Sequence, residues 1–285
     1  MTAPAGTPRG GLLLCIDVGN TQISLGVYRG ESLVRDWRMR TDPAITADEL
    51  EVAVTALLGG YATEVDGIAA LSTVPSVLRE LRLMLDRRAS ITTVVVGPGV
   101  RTGVPLLVDN PREVGADRVV NTLAAHHRFG TTCVVVDFGT ATNIDVVSAK
   151  GEFLGGAIAP GIEISMDALA LRAAALRHVE LLPPRSVIGK NTVEALQSGL
   201  LYGYAGQVDG LVRRILSELG PTAGPVTVVG TGGLAPLMQG VSDTITVYAP
   251  DLTLDGLRLT YLRNVRSPVV NSARTTGEKA VPPAV

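Results

Sequence analysis

The chain has 285 residues, of which 46% are hydrophobic and only 4% aromatic, and its formal net charge is −2. This length fits one large domain or two ordinary ones with a core of aliphatic side chains. The near-neutral charge argues against nucleic acid as the main partner, and the sequence has no run of about 18 apolar residues that would predict a membrane span.

Both termini are predicted to lie outside the folded part. Residues 1–11 read MTAPAGTPRGG, a flexible leader rather than a signal peptide, because no long apolar stretch precedes a cleavage site. Residues 265–285 have the composition of a disordered tail. The two cysteines, Cys15 and Cys133, each lie in an apolar run, and their spacing fits no metal site or disulfide framework. We therefore expect reduced, buried thiols in a cytoplasmic protein.

The first half of the chain predicts three strands followed by alternating helices and strands. Thr46 and Glu49 form a capping box for a helix that stops at Gly59-Gly60, and Pro75 suits the first position of the next helix. The later strands are apolar on both faces, which is typical of parallel strands covered by helices. The predicted strands are 12–18, 23–28, 33–40, 67–72 and 91–96, and the later helices are 76–88 and 113–129.

The second half again begins with three strands, at 133–137, 143–148 and 153–158, followed by a helical region at 162–176. Asn191 is the predicted N-cap of a long helix, with Glu194 as its reciprocal partner and Gly220-Pro221 as its stop. A strand at 226–229, a glycine turn, a short helix at 234–238 and an amphipathic helix at 252–263 complete the pattern.

The two halves open with nearly the same phrase. Asp17-Val-Gly19 and Asp137-Phe-Gly139 lie 120 residues apart, whereas the charged turns at 29–33 and 150–154 lie 121 apart, so one inserted residue reconciles them. Each phrase predicts a hairpin with a tight glycine turn. The period is too long for a solenoid or propeller unit and fits two copies of a whole domain. The alternative is chance similarity between two ordinary hairpins, and the shared βββ-α-β-α plan argues against it.

These turns carry the residue types that phosphoryl transfer needs. Glycine lets backbone N–H groups approach an anion, threonine hydroxyls add donors, and the Asp of each turn can hold a cation. A third turn, Gly230-Thr231-Gly232-Gly233, suits contact with the adenosine side of a nucleotide. The sequence has no G-x-x-x-x-G-K-[ST] motif and no G-x-G-x-x-G motif after the first strand. One such turn alone is more often structural than functional.

The sequence resembles the superfamily of acetate and sugar kinases, heat-shock chaperone ATPases and actin, and within it the type III pantothenate kinases. The resemblance spans 12–264 and rests on the segments 17–21, 109–118, 137–141, 155–161, 188–192 and 231–233. It implies an α/β fold with two duplicated ribonuclease H-like (actin-like ATPase) domains, 12–130 and 131–264, around a central cleft. It also implies ATP-dependent phosphorylation of pantothenate to 4′-phosphopantothenate, the first step of coenzyme A biosynthesis. The implied enzyme is a cytoplasmic homodimer with its pantothenate site near the dimer interface, using Mg-ATP and activated by K⁺ or NH₄⁺.

The resemblance assigns roles residue by residue. Asp117 is the implied proton acceptor and Asp137 the implied monovalent-cation ligand. By position alone, Asp117 is better explained as a solvated acid favoured by the helix dipole. Arg118 could equally be a surface ion-pair partner, and Thr192 could serve both as a helix-entry residue and as a substrate contact. The implied ATP-binding residues are Asp17, Val18, Gly19, Asn20, Thr21, Gln22, Ile23, Ser24 and Thr140, and the implied substrate-binding residues are Gly115, Ala116, Asp117, Arg118 and Thr192.

Two departures and two alternative functions stay open at this point. Many relatives carry Tyr where this chain has Val108, which leaves the lining of the substrate pocket in question, and Thr142-Asn143 replaces a frequent Thr pair. The alternatives are a non-catalytic nucleotide-binding relative and an ATPase of the chaperone or actin kind. The retained acids Asp17, Asp117 and Asp137 favour the kinase, and the absence of a second β-rich substrate domain ranks the chaperone ATPase last.

Overall fold

A computed structural model describes residues 11–172 and 178–265 of the chain. Residues 1–10, 173–177 and 266–285 lie outside the described residues, and they include most of the predicted leader, the end of the predicted helical region 162–176 and all of the predicted tail except Val265, which ends a helix.

The first sheet is an antiparallel meander extended by two parallel strands. Its strands are β1 (Leu12–Val18), β2 (Gln22–Arg29), β3 (Ser32–Arg40), β4 (Val65–Ser72) and β5 (Thr92–Val95). Their order is β3-β2-β1-β4-β5, with β4 and β5 parallel to β1. Helices α1 (Ala47–Leu58) and α2 (Pro75–Asp86) cover one face and bury an aliphatic core with β1.

The second sheet repeats this arrangement. Its strands are β6 (Thr132–Phe138), β7 (Ala141–Val147), β8 (Phe153–Pro160), β9 (Val226–Thr231) and β10 (Val247–Tyr248). Their order, read from the meander edge, is β8-β7-β6-β9-β10, which confirms the predicted duplication. The one-residue offset between the copies is the net result of three differences in the second copy. The first turn is shorter by one residue (139–140 against 19–21), β7 is one residue shorter than β2, and the next turn is longer by three residues (148–152 against 30–31).

Two helices pack against each other between the sheets. Helix α3 (Ala116–Phe129) contacts β6 and β7, whereas α7 (Leu252–Val265), from the end of the second half, contacts β1 and β4. The prediction of an amphipathic last helix is wrong, because α7 is buried on nearly every side and contributes to the cores of both sheets. The remaining helices are α4 (Ile162–Arg172), α5 (Thr192–Leu219) and α6 (Ala235–Met238).

The helix caps follow the predictions with two exceptions. Thr46 and Glu49 form the full capping box of α1, and Asn191 caps α5 by accepting from the Glu194 backbone N–H at 2.9 Å. The prediction that Glu194 caps Asn191 in return is wrong, because the Glu194 carboxylate accepts instead from the Lys190 backbone N–H at 3.0 Å. Helix α3 begins at 116 rather than 113, because Pro111–Glu113 forms a short 3-10 helix and Val114 is extended.

Both cysteines are buried and unpaired, as predicted, and burial raises the pKa of each thiol. Of the helices that the structure describes, none combines the length and the apolar character that crossing a bilayer requires.

Candidate active site

The three predicted glycine turns meet at one cavity of about 1000 Å³. The β1–β2 turn and the β6–β7 turn touch through their threonines, with Thr21 Oγ1 and Thr140 Oγ1 2.9 Å apart. Gly232 and Gly233, from the turn after β9, line the same cavity. The duplicated phrase therefore forms two facing walls, and the third turn adds a side wall.

The equivalent acids of the two copies point into this cavity because their strands end in equivalent ways. Asp17 is paired with Ser24 across β1 and β2, and Asp137 with Asn143 across β6 and β7. Each turn is closed by a backbone hydrogen bond of 3.0 Å donated by its glycine N–H, from Gly19 in the first copy and Gly139 in the second. Both carboxylates line the cavity.

Asp117 is the third acid of the cavity and lies in the first turn of α3. A carboxylate at this position is favoured by the positive end of the helix dipole. Gly115 makes room for it, since a Cβ at residue 115 would collide with the Asp117 carboxylate. The glycine of the Gly-Ala-Asp-Arg sequence is therefore explained by the space that the Asp117 side chain requires.

Burial and the charges of neighbouring acids raise the pKa values of Asp17 and Asp137. Burial, followed by the charges of Asp117 and Asp137, raises the pKa of Asp17 to about 8. Burial, followed by the charges of Asp117 and Asp145, raises the pKa of Asp137 to about 7, and a hydrogen bond from Asn121 opposes this rise. A bound cation would relieve the repulsion, so the acids fit a cation-dependent reaction.

The acids fit a magnesium ion held jointly with substrate. Within residues 11–172 and 178–265, no group of three His, Cys, Asp or Glu side chains is close enough to hold a metal ion. Mg²⁺ commonly keeps several waters and binds through one or two carboxylates plus substrate phosphates. The donor set of this cavity matches that mode.

Arg118 is already engaged by another acid. Its Nε donates to Asp145 Oδ1 at 2.9 Å, its Nη2 donates to the same oxygen at 2.5 Å, and its guanidinium lies 5.1 Å from the Phe153 ring centroid. Burial raises the pKa of Asp145, and the Arg118 charge acts against that rise. Arg118 therefore holds α3 to β7 and β8, and it is not among the described residues that line the cavity.

The other predicted site residues divide into three groups. Gly19, Asn20, Thr21, Gln22, Ser24 and Thr140 line the cavity with Asp17. Val18 and Ile23 bury their side chains completely in the core, so only their backbone is available to a nucleotide. Gly115, Ala116 and Thr192 are not among the described lining residues, and Thr192 is the exposed first residue of α5.

Val108, the departure from the expected Tyr, lies beside β8. The segment before it pairs with this strand, because Leu107 N–H donates to Phe153 O at 2.9 Å. A Cβ at Gly155 would be 3.6 Å from Val108 Cγ1. The side chain at 108 therefore packs on β8.

The sequence reasoning missed a buried polar chain behind Asp137. Thr253 Oγ1 donates to Asn121 Oδ1 at 2.8 Å, and Asn121 Nδ2 donates to Asp137 Oδ2 at 3.2 Å. Thr253 also lines the cavity. The only sequence signal was an Asn among the apolar positions of α3.

Comparison with known proteins bears directly on this site. The sequence model of the type III pantothenate kinase family matches residues 13–214. A protein of Saccharopolyspora erythraea named type III pantothenate kinase is 70% identical over 265 residues, covering 90% of this chain and 100% of the relative. A protein of Rhodococcus jostii with the same name is 61% identical over 259 residues, covering 89% and 96%.

The chain belongs to the type III pantothenate kinase family.

Solved structures show the fold of this type III pantothenate kinase family member. Component A of (R)-2-hydroxyglutaryl-CoA dehydratase from Acidaminococcus fermentans matches with a TM-score of 0.52 at 14% identity, covering 89% of this chain and 97% of that one. The activator of 2-hydroxyisocaproyl-CoA dehydratase from Clostridium difficile, solved with bound ADPNP, matches with a TM-score of 0.50 at 12% identity, covering 89% and 94%. The predicted actin-like fold of two ribonuclease H-like domains is confirmed.

Proposed function

We propose that this chain transfers the γ-phosphoryl group of ATP to the 4′-hydroxyl of pantothenate, giving 4′-phosphopantothenate and ADP in the first step of coenzyme A biosynthesis. The observation that carries the proposal is the convergence of Asp17, Asp117 and Asp137 on one cavity in a member of this family. A protein that only binds nucleotide has no need of a third acid in the first turn of α3.

In this proposal the two hairpin turns bind the phosphates. Backbone N–H groups near Gly19 and Gly139 and the hydroxyls of Thr21 and Thr140 are the donors. Asp117 orients the pantothenate hydroxyl and accepts its proton late, as the new P–O bond forms and the bond to ADP breaks. Because a carboxylate is a weak base, orientation of the hydroxyl matters more than early proton removal.

Two cations complete the proposed site. Asp137 would hold K⁺ or NH₄⁺, and Asp17 would hold the magnesium of Mg-ATP directly or through water. When bound, Mg²⁺ neutralises charge on the transferring phosphates. Support comes from the raised pKa values of Asp17 and Asp137, about 8 and about 7. Both carboxylates are buried beside other acids, so a bound cation would stabilise their charged forms.

We further propose a cytoplasmic homodimer whose interface adjoins the pantothenate site. Among the described residues, nine of the fourteen large apolar side chains that are exposed lie between 154 and 193, on β8, on α4, and on the segment that leads into and begins α5. We call this surface the β8–α4 face. Ile158 and Ile164 belong to it and also line the cavity. Exposed apolar patches of this kind mark interaction sites.

The decisive experiment is Asp117→Asn in a coupled assay for ADP with Mg-ATP, K⁺ and pantothenate. We expect kcat to fall at least about 100-fold, the usual contribution of a general base, with an unchanged melting temperature. Asp48→Asn is the matched control, since Asp48 follows an alanine at the start of α1 as Asp117 does in α3, yet lies outside the cavity.

Two outcomes would contradict the proposal. Wild-type protein without pantothenate-dependent ADP formation across a range of K⁺, with Na⁺ as the comparison, removes the kinase function. Full activity in Asp117→Asn removes the role of Asp117.

A further inference from the structure

The cavity has an unusual charge inventory for a site that takes an anionic nucleotide. Six carboxylates line it, and one guanidinium is the single cationic side chain among its described lining residues. That guanidinium belongs to Arg38, which the sequence reasoning left without a role. The carboxylates are Asp17, Asp36, Asp117, Asp137, Glu163 and Asp251.

Strand register places Arg38 in line with the first hairpin. Asp17 pairs with Ser24 across β1 and β2, and Ser24 pairs with Arg38 across β2 and β3. Directly paired residues share one face of a sheet, so the three side chains form a row that faces the cavity. At about 4.8 Å per strand, the Arg38 backbone is roughly 10 Å from that of Asp17, a distance that a long side chain and a phosphate can bridge together.

Two other arginines near the cavity, Arg118 and Arg128, are already bound to acids. Arg118 is bound to Asp145, and Arg128 donates to Asp251 at 3.0 and 2.9 Å from behind the cavity wall. Arg38 is exposed, and no described carboxylate lies within 4.0 Å of its guanidinium. A planar guanidinium matches two oxygens of a phosphate at once, which makes it suited to this ligand.

We propose that Arg38 is a nucleotide-anchoring residue that binds a phosphate of ATP beside the Asp17–Ser24 hairpin. This inference rests on the proposed kinase function. It gives the cavity a fixed positive charge on the side of the first sheet, opposite the cation proposed at Asp137. The acids can then remain in the site without repelling the triphosphate from it.

The test is the dissociation constant of Mg-ATP, measured by calorimetry without pantothenate, for wild type, Arg38→Gln and Arg38→Lys. We expect Arg38→Gln to weaken binding roughly 10- to 100-fold, the loss typical of a charge-assisted hydrogen bond. Arg38→Lys keeps the positive charge but cannot donate two parallel hydrogen bonds to the phosphate, so its affinity for Mg-ATP should lie between those of wild type and Arg38→Gln. Arg35→Gln is the matched control, because Arg35 is on the same strand but faces Trp37, with its guanidinium 5.3 Å from the Trp37 ring centroid.

Three results would overturn the inference. These are a Mg-ATP affinity for Arg38→Gln within about twofold of wild type, an equal loss in Arg35→Gln, or a loss confined to the KM for pantothenate. The last outcome would assign Arg38 to the pantothenate carboxylate instead. If Arg38→Gln melts early, the Arg38→Lys comparison decides the matter. Binding is measured without turnover, so a failure of the kinase assay in wild type does not affect this test.

Discussion

At the residue scale, the orientation of Asp137 depends on a buried amide, that of Asn121. Asn121 is 1% exposed, and its amide uses its oxygen for Thr253 and its nitrogen for Asp137. This bond fixes one carboxylate oxygen of Asp137 and leaves the other for a ligand. The chain Thr253–Asn121–Asp137 therefore couples the cavity wall on α7 to the proposed cation ligand through α3.

We expect Asn121→Ala to raise the half-saturating K⁺ concentration for kinase activity more than it lowers kcat. The substitution leaves Asp137 without its positioning bond, and it lowers the free energy of unfolding by about 1–3 kcal/mol because buried partners are left unsatisfied. Activity titrated with K⁺ and urea unfolding measure the two effects. Thr122→Ala is the control, since Thr122 is the next buried residue of α3 but bonds the Arg118 carbonyl at 2.9 Å. An equal shift in K⁺ dependence for both variants would argue against a positioning role.

At the element scale, the turn after β9 is fitted against the end of β6. Gly232 has φ +90, in the left-handed region, and a Cβ there would collide with the Asp137 carboxylate and the Phe138 backbone. Gly233 lacks such a φ, and its nearest neighbour would be Gln22 Oε1 at 3.4 Å. The two adjacent glycines therefore serve different purposes.

Gly232→Ala should lower the free energy of unfolding by roughly 1–3 kcal/mol and weaken Mg-ATP binding, since the strained backbone can relax only by moving Asp137. Gly233→Ala should fold with little change in stability. Urea unfolding and Mg-ATP titration of the two variants make the comparison. Equal free energies of unfolding for the two variants would show that the turn adapts to a side chain at residue 232 and that its close packing against Asp137 and Phe138 does not affect stability.

Local sequence signals predicted individual helices and strands well. They failed where the structure depends on contacts between residues that are distant in the sequence. The capping box at Thr46 and the cap at Asn191 are local, and both formed. Strand β10 is two residues long, too short for any periodicity to mark it. The sequence leaves Arg118 either a substrate-binding residue or a surface ion-pair partner, because its buried partner Asp145 is brought to it only by the packing of α3 on β7.

At the scale of the whole molecule, duplication explains both the cleft and its asymmetry. The repeated phrase predicted two equivalent sheets, and the strand orders agree. It did not predict that α3 and α7 would pair between them, because their residues are more than 120 positions apart. The proposed domain boundary at residue 130 therefore separates the two copies along the sequence, whereas α3 and α7 pack together and join the two halves in space. Arg128 ties them further through Asp251 and Asp255.

The β8–α4 face predicts the behaviour of the assembled enzyme. If it is the homodimer interface, wild type should sediment at twice the 29.7 kDa chain mass, and Leu171→Glu should sediment as a monomer. Leu171 is 83% exposed in the single chain, so a charge there harms only an assembly that buries it. Val52→Glu, at a 70% exposed position on α1, is the control and should remain dimeric.

Because Ile158 and Ile164 of this face also line the cavity, dissociation should raise the KM for pantothenate while leaving Mg-ATP affinity intact. A monomeric wild type with full activity would remove the interface from the reaction, and a dimeric Leu171→Glu would place the interface on another surface.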